Sequence, residues 1–425
     1  MEAGTNRWHT ITMMLAHGLK RFGAGRIPAA LVRLPTRTLH VSASLLARRT
    51  ALYDFHVNNG ARIVEYGGFD MPLIYKSAGQ GASHQHVRTK AGLFDVGHMV
   101  QHMFEGPGAR AFLERLTPAS LGSLAPFSST LSLLLTPEGT IIDDLVVSKH
   151  SDTSFYVVTN AARRDVDLAW INKNLAEWNE KNDKVEHRVV DNGLVALQGP
   201  SAAGVLRTLL PADFDLDALT FGKSAFVPLK LPNGTSVETH VARGGYTGED
   251  GFEVSIPPEH TTAVAEALLA HPDVELAGLA VRDSLRVEAG MCLYGNDIDD
   301  TVTPVEGGLT WTVAKDRREK GGFIGAERVL RDIAEGPPRR RVGIIVPEAP
   351  ARAGAPVFAE DGTTRIGTVT SGIPSPTLGT NVAMALVQNG HHKRGTPIKV
   401  EARRALRNAT IERMPFVPNK FYRGK

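Results

Sequence analysis

Asp143 and Asp144 stand side by side in "GTIIDDLVVSKH", Gly139 to His150. Around them Ile141, Ile142, Leu145, Val146 and Val147 form an apolar, mostly β-branched run that reads as a buried strand. Side chains alternate along a strand. Ile141, Asp143, Leu145 and Val147 are therefore expected on one face, with Ile142, Asp144, Val146 and Ser148 on the other. An unpaired carboxylate taken out of water costs several kcal/mol, so each aspartate must reach a partner, a ligand or solvent. Either one caps a turn while the other frays to solvent, or one of them faces a ligand. The pattern leaves both readings open.

A second carboxylate with chemical interest is Glu253, in "RGGYTGEDGFEVSI" (Arg243 to Ile256). Period-two alternation puts Phe252, Val254 and Ile256 on one face and Glu253 with Ser255 on the other. Just past a glycine-rich turn, such a carboxylate can point into a cleft and accept a planar pair of N–H donors from a heterocycle. It can equally be a solvated residue on an amphipathic strand. In "LAVRDSLRVEAGMCLYGND", Arg282 and Arg286 are four apart on an expected helix and share a face. Arginine could brace the Glu253 carboxylate, or the pair could be a solvated helix face.

Other reactive side chains give weaker signals. His98 and His102 are four apart in a segment that reads as strand, and no carboxylate ligand pattern accompanies them. His84, His86, His391 and His392 read as core or surface histidines. Cys292 is the single cysteine, so neither an intramolecular disulfide nor a cysteine metal cluster can form. No G-x-S-x-G elbow, Walker A motif or dinucleotide fingerprint occurs.

The elements that must position these groups follow from periodicity and turn composition. "TLSLLLT", the Asp-bearing segment and "FYVVTN" read as three successive strands. A helix with an apolar stripe of Val166, Trp170, Ile171, Leu175 and Trp178 follows. Pro232-Asn233-Gly234 marks a hairpin between two further strands. "AEGPPRRR", with residues 334–341, reads as a linker, and the short strands beyond it as a small all-β barrel or sandwich over 342–425.

The chain has 425 residues, 42% hydrophobic, and a formal charge of +3, which suits two or three globular domains. No apolar stretch is long enough to span a membrane. The N-terminal region is skewed: Arg7, Lys20, Arg21, Arg26, Arg33 and Arg37 face the single acid Glu2. An arginine-rich, acid-poor, serine-containing leader over residues 1–45 is the composition of an organelle transit peptide. The remainder is slightly acidic, which argues against nucleic acid as a partner.

Together, "LFDVGHM", "GTIIDDLVV", "LQGP", "GGYTGEDGFEVSI", "LAVRDSLRVEAGMCLYGNDID", "TPVEGGLTW", "IGTVTSGIPSP" and "MPFVP" resemble the aminomethyltransferase, or T-protein, family of the glycine cleavage system. The resemblance runs in order from about Thr50 to the C-terminus. It implies an α+β, three-domain cloverleaf around a central folate channel, with a folate-binding region over 50–333 in two subdomains and a C-terminal barrel. It implies transfer of a methylene carbon from the aminomethylated dihydrolipoyl arm of H-protein to tetrahydrofolate. The products would be 5,10-methylenetetrahydrofolate, ammonia and dihydrolipoyl H-protein. Partners would be lipoylated H-protein, with the P- and L-proteins of the same system, and no metal is called for. The location would be the mitochondrial matrix.

By the same resemblance Asp144 is the catalytic aspartate and Asp143 is structural. Glu253 and Arg282 bind folate, with Met99, Asn160, Tyr246 and Trp311 as further pocket residues. Phe421, in "NKFYRGK", falls where many relatives carry tyrosine, so this chain lacks a hydroxyl there. Arg339 to Arg341 offer a basic patch for an acidic carrier. The main alternative is a folate-binding iron–sulfur assembly factor of the same fold, in which a cysteine would matter. Others are the folate half of a sarcosine- or dimethylglycine-oxidising enzyme, or a folate sensor.

Overall fold

The alternating apolar runs fold into two large sheets, seen in a computed structural model that describes residues 47–424. The leader expected over 1–45 lies outside the described residues.

One sheet has five antiparallel strands in the spatial order Ser128–Leu135, Ile141–Ser151, Ser154–Thr159, Val100–Glu105, Glu186–Val190. Its inner face carries Leu134, Ile142, Leu145, Val147, Phe155 and Val157. The helices Ala109–Leu116 and Arg164–Lys181 close this core with Phe112, Leu113, Leu116 and Ile171. Alternation along the Asp-bearing strand holds from Asp143 onward: Asp143 pairs with core-facing Leu134 and Asp144 with Leu133. It fails at the two isoleucines. A β-bulge opposite Leu134 and Leu135 inserts one extra residue, so Ile142 joins Leu145 in one core while Ile141 packs with Leu133 and Leu135 in another.

The second sheet has the order Ser224–Lys230, Ser236–Arg243, Gly251–Ile256, Gly193–Gln198, Ala91–Asp95, Val274–Leu276. The expected hairpin is present, with Gly234 at φ +88° completing its turn. Phe252, Val254 and Ile256 pack against Val205 and Leu206 of one helix and Val264 and Leu268 of another. A three-stranded sheet from Arg48–Arg49, Phe69–Tyr75 and Ala61–Tyr66 flanks the start of the chain described.

The C-terminal strands close into a six-stranded barrel filled by Ile344, Val357, Val369, Ala385, Val400 and Ile411. The α+β class and the C-terminal barrel thus agree with the sequence. The linker does not span 334–341: a helix runs through Glu335 and the first barrel strand is Arg339–Ile345. The arginines belong to that strand because their backbone pairs with Gln388, Val387 and Leu386 of a neighbouring barrel strand. Arg339 Nε meets Glu306 at 2.8 Å and Arg341 Nε donates to the Gly307 carbonyl at 2.8 Å. Arg339 is thus paired with an acid, whereas Arg340 meets the neutral Asn389 side chain at 3.0 Å and Arg341 meets only neutral acceptors.

Two buried ionic centres on the helix Leu279–Glu288 tie the barrel to the rest. Arg286 reaches Asp297 at 2.5 Å and Ser371 of the barrel at 2.8 Å. Glu288 accepts from Arg88 at 2.7 Å, His84 at 3.1 Å, Ser375 at 2.5 Å and Thr377 at 2.7 Å. Burial opposes the Glu288 charge, but these donors outweigh it and hold the carboxyl down at about 2. A depressed folded pKa gives stability that is present above the unfolded value and lost as pH falls toward the folded one. The contribution is thus lost between about pH 4.5 and about 2. Glu288→Ala leaves Arg88 with Glu249 and the Thr247 carbonyl but strips Ser375, Thr377 and His84 of their shared acceptor. It is expected to cost about 1–3 kcal/mol or more, read by urea unfolding at pH 7. Glu288→Gln should flatten the acid limb of the Tm-versus-pH curve. An unchanged limb would show that another group dominates acid sensitivity.

Candidate functional site

Both sheets, the helix Leu279–Glu288, barrel residues and the C-terminal tail line one cavity of about 1770 Å³. That exceeds what one drug-sized ligand requires and leaves room for two reacting groups.

Asp144 lines this cavity, while Asp143 is fully buried on the opposite face. Asn160, just after the strand Ser154–Thr159, bridges them. Its backbone N–H donates to Asp143 Oδ2 at 2.9 Å. Its side-chain amide donates to Asp143 Oδ1 at 2.9 Å, and to Oδ1 and the carbonyl of Asp144 at 2.9 and 3.1 Å. Burial pushes the Asp144 carboxyl up to about 6, against the Asn160 hydrogen bonds and the Arg282 field that pull it down. Asp144 is therefore an anion at neutral pH and can still gain a proton within reach of it.

Glu253 also lines the cavity, with Ser255 beside it as period two requires. Its cross-strand neighbours are Ala196 and Ala242, whose small side chains leave space around the carboxylate. Burial raises its pKa and Arg282 lowers it. The glycine-rich turn before it lies tight on the sheet: a Cβ on Gly245 would fall 2.0 Å from Gln198 Oε1. Gln198 in turn holds the Gly244 carbonyl at 2.9 Å and Thr247 at 2.8 Å. This packing presents Tyr246, whose hydroxyl donates to the Cys292 carbonyl.

The two helix arginines diverge. Arg286 is committed to Asp283, Asp297 and Ser371. Arg282 lies over the Tyr246 ring, 4.3 Å from its centroid, and among the described residues it forms no ion pair within 4.0 Å. It does not brace Glu253 through direct contact, as the sequence suggested. Its guanidinium acts on Asp144 and Glu253 through the field and remains available to a ligand.

Met99, Trp311 and Phe421 line the same cavity. Trp311 is 61% exposed at the rim, and Phe421 stacks on Phe221 at 4.2 Å. Cys292 lines the cavity, and burial pushes its thiol up to about 12, so it is not a ready nucleophile. His84 belongs to the Glu288 network and His86 pairs with Glu275. His102 stacks on His187 outside the cavity lining, whereas His98 is buried at the cavity wall. Among the described residues, no group of three or more His, Cys, Asp or Glu is placed to hold a metal ion.

Sequence reasoning missed Asp167. The expected stripe gave Val166 to the core, but Val166 is 44% exposed and Asp167 is fully buried. The buried row of that helix is Asp167, Ile171 and Asn174, at helical spacing. A stripe drawn through Ile171 by steps of four, rather than by apolarity, would have found it.

The two sheets and the closed C-terminal barrel meet at a cavity lined by both carboxylates and arginines, among them Asp144, Glu253 and Arg282. Residues 52–317 match the GCVT N-terminal domain and residues 339–418 the glycine cleavage T-protein C-terminal barrel domain, and the chain belongs to this T-protein family. It is 47% identical over 395 residues to the probable mitochondrial aminomethyltransferase of Schizosaccharomyces pombe, covering 93% of this chain and 99% of that one. It is 44% identical over 380 residues to the mitochondrial aminomethyltransferase of Homo sapiens, covering 89% and 92%. The crystal structure of the glycine cleavage system aminomethyltransferase T from Bartonella henselae superposes with a TM-score of 0.81 at 36% identity. It covers 89% of this chain and all of the other. Among the described residues no helix is long and apolar enough to cross a membrane.

Asn160→Ala removes the side-chain hydrogen bonds to both aspartates and keeps only the backbone N–H to Asp143. It is expected to destabilise the fold by about 1–3 kcal/mol, the usual range for stranding buried acceptors, as measured by equilibrium denaturation. Unchanged stability would mean that solvent replaces the amide.

Proposed function

We propose that this protein transfers the methylene carbon of aminomethylated H-protein to tetrahydrofolate in the mitochondrial matrix. The observation that carries the reading is one cavity holding Asp144, Glu253 and an uncommitted Arg282, in a chain of the T-protein family. In the overall reaction the carbon gains bonds to two folate nitrogens. It gives up its bonds to the lipoyl sulfur and to the amino nitrogen. The two folate N–H protons end on that sulfur and on the departing ammonia.

Each residue has a role suited to its chemistry. Glu253 accepts the paired N–H donors of the pterin edge, and Arg282 meets an electron-rich part of folate beside it. Asp144 orients the reacting nitrogen and stabilises positive charge that develops on the transferred carbon. In a poorly solvated cavity that interaction exceeds its strength in water. Met99, Tyr246, Trp311 and Phe421 supply the apolar and aromatic walls. No step calls on a metal. An iron–sulfur assembly role would call on a reactive cysteine, whereas the Cys292 thiol is held protonated by burial.

Protein lacking residues 1–45, aminomethylated H-protein and tetrahydrofolate should yield ammonia and methylenetetrahydrofolate in equal amounts. Folate binding without either product would overturn the reading. Asp144→Asn keeps shape and removes charge, so turnover should fall about 10²-fold or more with folate affinity largely kept. Since burial raises the Asp144 pKa to about 6, wild-type kcat should fall as pH drops through that value. Glu253→Gln turns one acceptor into a donor and should weaken folate binding about tenfold or more. Calorimetric titration with equal affinities for both proteins would place Glu253 outside the folate contact.

A further inference from the structure

His98 lines the cavity, and the proposed reaction gives it no part. It is 2% exposed. Its Nδ1 is buried without a hydrogen-bond partner. Nε2 makes no hydrogen bond either among the described residues, but it is not sealed in, so it is the edge of the ring that opens to the cavity. A buried imidazole with neither nitrogen engaged costs stability, which singles it out as a group kept for a ligand.

The ring is held in place rather than left over. His98 sits on the turn Val96–Met99, closed by the Met99 N–H donating to the Val96 carbonyl at 3.0 Å. The Gly97 N–H donates to Asp95 Oδ1 at 2.8 Å. Asp95 Oδ2 accepts from the Thr50 hydroxyl at 2.6 Å and meets His56 Nε2 at 2.8 Å. His56 Nδ1 in turn meets the Tyr75 hydroxyl at 2.9 Å. The Tyr66 and Phe69 rings stand across His98 at 74° and 63°, with centroids 5.7 and 6.5 Å away. Such support fixes a side chain before its ligand arrives.

Position and chemistry name the ligand. The Val96 N–H donates to the Leu194 carbonyl at 3.0 Å, which fastens the turn to the strand Gly193–Gln198. On that strand Leu194 pairs with Ser255 and Ala196 with Glu253. His98 and Glu253 therefore belong to one wall, on either side of a single strand. Burial and the Arg282 field push the imidazole down to about 4, against the opposing pull of Asp95, so the ring is neutral and carries one N–H. On Nδ1 that proton would be an orphaned buried donor, whereas on Nε2 it faces the cavity.

We propose that His98 is a folate-contacting residue, donating from Nε2 to an acceptor atom of the heterocycle whose N–H edge Glu253 holds. The inference rests on the folate reading of the cavity given above.

Calorimetric titration of the full protein with tetrahydrofolate tests it. His98→Phe keeps a planar ring and removes the donor. Folate affinity should fall about tenfold, while Tm is kept or raised because no buried nitrogen is left without a partner. His98→Gln keeps an N–H donor and should bind within about threefold of wild type. Equal affinity for His98→Phe and wild type would overturn the proposal, and so would a glutamine variant no better than phenylalanine. Should the phenylalanine variant not fold, His98→Leu takes its place with the same expectation. Nitrogen-15 NMR reads the proton itself. The imidazole signal that His98→Phe lacks should be a neutral ring protonated on Nε2 at pH 7, and it should move when tetrahydrofolate is added. A proton on Nδ1, or a signal that folate leaves unmoved, would also overturn the proposal. A wild-type protein that binds no tetrahydrofolate would overturn the folate reading together with it. Binding by wild type and His98→Phe alike would remove His98 alone and leave that reading standing.

Discussion

The side-chain amide of Asn160 is the contact on which the site depends. Two carboxylates at consecutive strand positions point to opposite faces, so no single side chain can ordinarily serve both. Asn160 does so because it leaves its strand at the level of the pair, reaching both Oδ1 atoms and the Asp144 carbonyl. Its own N–H takes the remaining Asp143 oxygen. The arrangement lets one strand bury an acid in the core and offer another to a cavity. Without it, the buried carboxylates would lose these donors at a desolvation cost of several kcal/mol.

Around that contact the electrostatics are asymmetric. Arg286 and Glu288, two residues apart, are consumed in ionic centres that fasten the barrel to the two sheets. Arg282, one turn earlier, is left over the Tyr246 ring with its charge directed to Asp144 and Glu253. The same helix therefore provides both the mechanical joint and the field in the cavity. Low solvation makes that field count, since charges interact more strongly the less water surrounds them. It also explains why Cys292, in the same cavity, stays protonated while Asp144 ionises below neutral pH.

Much of this was legible in sequence, for definite reasons. Period two separated Asp143 from Asp144 and Glu253 from Phe252, because alternation is a property of the strand itself. The turn chemistry of Asn233-Gly234 and the short strands after residue 341 marked the hairpin and the barrel. The swap of Ile141 and Ile142 was not legible, since a bulge depends on how the partner strand runs past it. Arg282 and Arg286 look alike on a helical wheel, and only the positions of Asp297 and Ser371 tell them apart. Asp167 was hidden by a rule that works elsewhere: apolar Val166 fits a core stripe, yet the buried row of this helix runs through Asp167, Ile171 and Asn174. The linker was overdrawn because "PRRR" is loop-like in composition while its arginines pair inside the fold.

The central claim is that burial and the Asn160 amide together give Asp144 an ionisable charge close to neutral pH. The most direct test is a carboxyl-carbon NMR titration of the protein labelled with ¹³C-aspartate, with Asp144→Asn assigning the resonance. The account predicts a midpoint near pH 6 for the signal that the variant lacks. A midpoint near 4, the value of an exposed aspartate, would contradict it and return Asp144 to the solvated edge of its strand.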